Sequence, residues 1–195
     1  NLAGFLSETG DRQGALEPAK RAVDIYQTLA RDNPAAYLPD LAGSLNNLAA
    51  FLSETGDRQS ALEPAKRAVD IYQTLARDNP AAYLPDLAMS LNNLANCLRE
   101  TGDRQGALEP AKRAVDIIET LARDNPAAYL PDLAGSLNSL ANCLRETGDR
   151  QGALEPAKRA VDIYQTLARD NPAAYLPYLA ISLKTLKLIQ DHISP

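Results

Sequence analysis

"GALEPAKRAVD" occupies residues 14–24, returns at 106–116 and 152–162, and stands at 60–70 with Ser60 for the first Gly. Its apolar residues recur at helical spacing, yet Pro18 and its equivalents sit in the middle. Working outward, Gly10, Gly56, Gly102 and Gly148 fall 46 residues apart, and so do Pro18, Pro64, Pro110 and Pro156. Pro34 and Pro39 recur with the same period. Only about ten of the 46 columns vary between copies. A period of this size means a repeat architecture, in which each unit needs a neighbour to bury its apolar face.

Each copy reads as two helices. Leu41, Leu45, Leu48 and Leu52 lie on one helical face, which predicts a first helix (A) from about Pro39 to Thr55. Pro39 suits its first position. Gly56 should end it in the left-handed region, and Asp57 should cap a second helix (B) over Arg58–Arg77. Ala61, Ala65, Ala68 and Tyr72 line one side of B, the small residues allowing close approach. Asn79-Pro80 should end B, because a residue before proline leaves the α region; "NPAAYLP" is then a connector. Pro64, inside B, predicts either a shallow kink repeated in each copy or a helix that starts only at the proline.

The fold class expected is all-α: a right-handed α-solenoid of antiparallel helix pairs with a C-terminal capping helix. The array spans 1–195, with repeats at 1–38 (truncated), 39–84, 85–130 and 131–176, and the cap at 177–191. In the cap, Lys187 replaces Ala49 of the repeat and Gln190 replaces Leu52, as a terminal helix facing solvent requires. Asn1 falls midway through a helix A, so the chain reads as a fragment.

The formal net charge of −5 argues against nucleic-acid binding. No window is apolar enough for a membrane span. Cys97 and Cys143 occupy the same column of successive copies, too far apart for a disulfide, so two free thiols and a cytoplasmic location are expected. His192 alone cannot build a histidine-based site. There is no ligand cluster for a metal, no phosphate loop and no catalytic set, so neither enzyme activity nor a cofactor is expected.

These residues resemble the tetratricopeptide repeat. The family's positions for large and small apolar residues are met by Leu45, Leu48, Ala49, Leu52, Ala61, Ala65 and Ala68, with Gly56-Asp57 at the turn. The period of 46 exceeds the family's usual 34. "LPDLAMSLNNLA" (84–95) and "ALEPAKRAVDI" (61–71) are similar to the longer repeats of kinesin light chain and related bacterial proteins. The resemblance implies that the A helices line a concave groove. Groove positions in the second copy would be Gly43, Asn46, Asn47, Ala50, Ser53 and Glu54. The copies differ chiefly there: Gly43 becomes Met89, Ala50 becomes Asn96 and Asn142, and Ser53 becomes Arg99 and Arg145.

The candidate peptide-binding residues are therefore Asn46, Asn47, Asn92, Asn93, Asn96, Arg99, Asn138, Asn142, Arg145 and Lys184. Amides donate to and accept from an extended backbone, and Arg pairs with carboxylates. The function expected is a scaffold binding an extended, acidic peptide. Glu100 and Glu146, beside the arginines, could instead offset them. The other reading is a self-association module, stacking head to tail, of a larger bacterial signalling or sensor protein. The partners expected are a protein or peptide, with self-association possible, and neither nucleic acid nor membrane.

Overall fold

The computed structural model describes residues 12–191. They form eight helices and no strand: α1 (Arg12–Asp32), α2 (Pro34–Glu54), α3 (Arg58–Asp78), α4 (Pro80–Glu100), α5 (Leu108–Asp124), α6 (Pro126–Glu146), α7 (Arg150–Asp170) and α8 (Pro172–Gln190). Even-numbered helices are of type A and odd-numbered helices of type B. The chain divides into two compact units, residues 1–102 and 103–195. In the first, α1 packs on α2, α2 on α3 and α3 on α4, and α2 also touches α4. In the second, α5–α8 repeat that order, with α6 touching α8. Each unit is thus a stack of helix pairs of the α-solenoid type. Asn1, Gly10, Asp11 and His192 lie outside the described residues.

The core follows the expected faces. Leu41, Leu45, Leu48 and Leu52 of α2 are buried, as are Ala61, Ala65, Ala68, Val69 and Tyr72 of α3. In the second unit Ala141 of α6 meets Ala153 and Ala157 of α7 and Ile189 of α8, all fully enclosed. Alanine lets two helix backbones approach, and the seam between A and B is built from it. Cys97 and Cys143 are buried free thiols.

The A helices begin five residues earlier than the sequence predicts. "NPAAYLP" is no connector: α2 starts at Pro34 and Pro39 lies inside it. Two features make this possible. Asn33 caps the helix, its side chain accepting from Ala36 N at 3.3 Å, and Pro34 stands where a missing N–H costs nothing. Pro39 frees the carbonyl of Ala35, an exposed residue that water can serve. Asn33, Asn79, Asn125 and Asn171 each mark the single-residue break between a B helix and the next A helix.

Helix B continues through its proline in three copies and starts close to it in α5, so no single arrangement repeats in every copy. Helices α1, α3 and α7 run unbroken through Pro18, Pro64 and Pro156. Helix α5 starts only at Leu108, two residues before Pro110. Residues 101–117 and 147–163 are identical in sequence, so the tertiary surroundings decide where this helix starts. Asp149 caps α7, accepting from Gly152 N at 2.8 Å; Asp103 accepts from Gly106 N at 2.9 Å in the same way, but in a turn ahead of α5, whose own N-cap Ala107 has no side-chain bond. At Gly152 an added Cβ would stand 2.3 Å from the capping carboxylate. Ser60 carries that carbon, and its bond to Asp57 stretches to 3.3 Å.

Gly56, Gly102 and Gly148 end the A helices at φ near +92°. A Cβ at Gly148 would meet nothing within 4 Å, so its cost there is conformational alone. Gly148→Ala should lower stability by about 1–2 kcal/mol, read as a shift in the urea midpoint. An unchanged midpoint would mean that the turn can adopt another conformation.

Candidate functional site

Burial divides the variable face of the A helices into two stripes. Gly43, Asn47, Ala50 and Glu54 are exposed or half-exposed on α2, as are Met89, Asn93, Asn96 and Glu100 on α4. These positions run i, i+4, i+7, i+11 and share one face. The next stripe, one residue back along most of its length, turns toward the neighbouring A helix. Asn46 belongs there. It is only 2% exposed, and its Nδ2 donates to Ser90 Oγ at 2.6 Å. Ser90 in turn donates to the carbonyl of Asp86 at 2.8 Å. The burial of Asn46 corrects its placement among solvent-facing peptide contacts: its amide holds α2 against α4. The missed partner had a sequence signal, since Ser44, Ser90, Ser136 and Ser182 put a hydroxyl in every copy of one column.

The first unit brings Asn46, Asn47, Asn92, Asn93, Asn96 and Arg99 together on α2 and α4. Asn47 is exposed, and Asn92, Asn93, Asn96 and Arg99 are half-buried. The second unit holds Asn138, Asn142, Arg145 and Lys184 on α6 and α8. Asn138 and Asn142 are half-buried, and Asn142 Nδ2 donates to its own helix at the carbonyl of Asn138. Lys184 is exposed.

Neither arginine offers an uncompensated charge. Arg99 Nη2 lies 3.9 Å from Glu100, and Arg145 Nη2 lies 2.9 Å from Glu146. Glu100 also accepts from the Ser53 hydroxyl and faces Arg58 at 3.6 Å. Glu146 faces Arg104 at 3.9 Å. The acidic neighbours that the sequence raised as a competing explanation do engage the arginines, and each glutamate gathers more than one partner.

Polar links tie the B helices of each unit as well. Arg67 Nη2 donates to Gln27 at 3.0 Å in the first, and Arg159 pairs with Glu119 at 2.7 Å in the second. Inside, the Tyr72 hydroxyl donates to the carbonyl of Pro39 and that of Tyr164 to Pro131, both at 3.4 Å. Burial pushes the Tyr72 and Tyr164 phenols up to about 12, with Asp86 and then Asp40 adding to Tyr72, and Tyr178 and then Asp132 to Tyr164. Burial, helped by Glu100, pushes the Cys97 thiol up to about 11.

These groups fold in their neutral forms and ionise more readily when unfolded, near 9 for the thiol and 10 for the phenols. Their contribution is fully present below about pH 9 and is lost as pH rises toward 11 and 12. The urea midpoint should therefore fall across that window, and Cys97→Ser should remove part of the fall. A midpoint flat to about pH 11 would contradict the burial of these groups.

Among the described residues, no three His, Cys, Asp or Glu side chains cluster as a metal site, and no helix is long and apolar enough to cross a membrane. The site is thus a face of helices bearing amides, hydroxyls and internally paired charges. Tetratricopeptide repeat models match residues 40–120, and 1–35 with 133–173. The chain belongs to the tetratricopeptide repeat family. That membership makes it a protein-interaction or scaffold module in general terms. No curated protein matches it. Among solved structures, two of a putative kinesin light chain from Podosopora anserina with nearly identical TPR-like repeats are similar. One is 22% identical with a TM-score of 0.70, covering 97% of this chain and 82% of that one. The other is 21% identical with a TM-score of 0.66, covering 99% and 93%. BtubC (BKLC) from P. vanneervenii is 19% identical, with a TM-score of 0.59 and coverage of 92% and 71%. At these identities the likeness concerns the fold alone.

Proposed function

We propose that this chain is a scaffold that holds an extended peptide or protein segment along the exposed stripe of its A helices. The observation that carries this reading is where the copies differ. Helix B is repeated almost unchanged, whereas the exposed A columns differ: Gly43 and Gly135 against Met89, Asn47 and Asn93 against Ser139, and Ala50 against Asn96 and Asn142. A fixed frame with a changing face is what recognition by side chains needs. Asn47, Asn93, Asn96 and Asn142 supply amides that can serve a peptide backbone.

The acidic preference is the narrower part of the reading. Glu100 and Glu146 occupy the arginines, so a ligand carboxylate gains only by displacing them. Asn46, enclosed between helices, is left out of the contact set. Free thiols are in keeping with a cytoplasmic setting.

The test is selection of peptides on the full chain from a random library, followed by titration against variants. Asn96→Ala with Asn142→Ala should weaken a selected peptide about tenfold. Arg99→Glu with Arg145→Glu should weaken only acidic peptides. Affinities untouched by the asparagine pair would reject the stripe as the binding face.

A further inference from the structure

Helix α8 repeats the A pattern with its chemistry inverted. Its residues include Lys184 and Lys187 and no acid, whereas α2 carries Asp40 and Glu54 and α6 carries Asp132 and Glu146. Tyr178 takes the place of Asp40 and Asp132, and its ring stacks on Tyr164 with centroids 5.7 Å apart. One side of α8 is enclosed through Ile189, but apolar side chains on its other side are uncovered. Leu183 is 46% exposed, against 1% for Leu45 and Leu137 in the same column. Leu176, Ile181 and Leu188 are also exposed. Leu176, Leu183 and Gln190, seven apart, form one row; Ile181, Lys184 and Leu188, at i, i+3, i+7, form another. Lys187 lies between the rows. Neither lysine forms an ion pair that the structure records among the described residues.

We propose that this face of α8 is a docking surface for an acidic amphipathic helix of a partner protein; Ile181 and Leu188 continue the columns of the stripe described above, whereas Leu176, Leu183 and Lys187 lie outside them. Leu176, Leu183, Ile181 and Leu188 of the two rows take the apolar residues of the partner helix, and its carboxylates meet Lys184 and Lys187. Charge complementarity decides the occupant. The chain is net negative, yet this exposed apolar surface carries Lys184 and Lys187, so it favours a ligand of opposite sign to the one the net charge would attract.

A second copy of this chain fits badly. Its B helices present alanine where Ala141 meets Ala153 and Ala157, and Lys187 stands in the column of Ala141. Continuing the stack in register would bury that ammonium against methyl groups without a partner.

The experiment displays random peptides of about twenty residues to the full chain, counter-selecting on the folded double variant Lys184→Glu/Lys187→Glu. Both lysines are exposed, and circular dichroism checks that the variant keeps its helicity. Enriched peptides should be amphipathic and acidic. A labelled one should bind at least about tenfold more weakly to the charge-reversed variant and to Leu183→Ser, and lose affinity as salt rises. The same peptide should bind Asn96→Ala/Asn142→Ala normally, which separates this surface from the stripe. Four results would overturn the proposal. The first is enriched peptides that lack acids or bind all variants alike. The second is no enrichment over the counter-selected protein. The third is binding to phosphatidylserine-containing vesicles without peptide enrichment, which would make the surface a membrane contact. The fourth is concentration-dependent sedimentation abolished by the lysine reversal, which would make it a self-association face.

Discussion

Leu137→Ala is expected to lower the stability of the second unit by about 2–5 kcal/mol, while Leu183→Ala costs under about 1 kcal/mol. The two leucines occupy the same column of the repeat and differ only in what surrounds them. Leu137 is 1% exposed on α6, a helix packed between α5 and α7 with α8 also touching it. Truncating it removes three buried carbons and leaves a cavity that the flanking helices close only in part. Leu183 on α8 already meets solvent, so its truncation removes little buried area and opens no cavity. Urea titrations followed by far-UV circular dichroism measure both. Equal losses would mean that α8 is covered in solution. Two small losses would mean that the A–B seam is loosely packed.

Ala157→Leu is the second large effect, in the opposite direction of volume. Ala157 is fully enclosed with Ala141, Ala153 and Ile189. A leucine there has no empty space to enter and must push α7 away from α6 or α8. Overpacking of this kind costs about 1–3 kcal/mol, and more where the neighbour is backbone. Glu155→Leu, two residues away on the exposed side of α7, is the control and should stay within about 0.5 kcal/mol. Loss of the difference between the two variants would show that helix spacing is not set by the alanine columns.

The pairing of helices was legible from residue spacing because leucine and alanine each hold one column: Leu41, Leu45, Leu48 and Leu52 on A, and Ala61, Ala65 and Ala68 on B. The turns were legible because Gly56 and its equivalents need a positive φ and Asp57 needs a backbone N–H to cap. The starts of the A helices were not. Two prolines five residues apart read as a connector, and the competing facts are local but small: one asparagine cap, and one freed carbonyl that faces water. The different onset of α5 was not legible either, since an identical stretch begins a longer helix in α7.

The site was legible as a face and not as a list. Asn46 and Asn47 are one residue, or about 100° of helical turn, apart, and which of them meets solvent depends on how α2 leans on α4. Sequence spacing fixes the angle between them and leaves the orientation of the helix to packing. The arginines were visible as candidates, and so were their acidic neighbours; only the distances decide that Glu146 holds Arg145.

The most direct test of the binding face is a backbone-amide NMR titration of the full chain with a peptide selected on it. Shift changes are expected at Met89, Asn93 and Asn96 and at Gly135, Ser139 and Asn142, with helix B unmoved. Changes centred instead on Glu63, Lys66 and Asp70 of α3 and their equivalents Glu155, Lys158 and Asp162 of α7 would put the partner on the opposite helices and contradict the account.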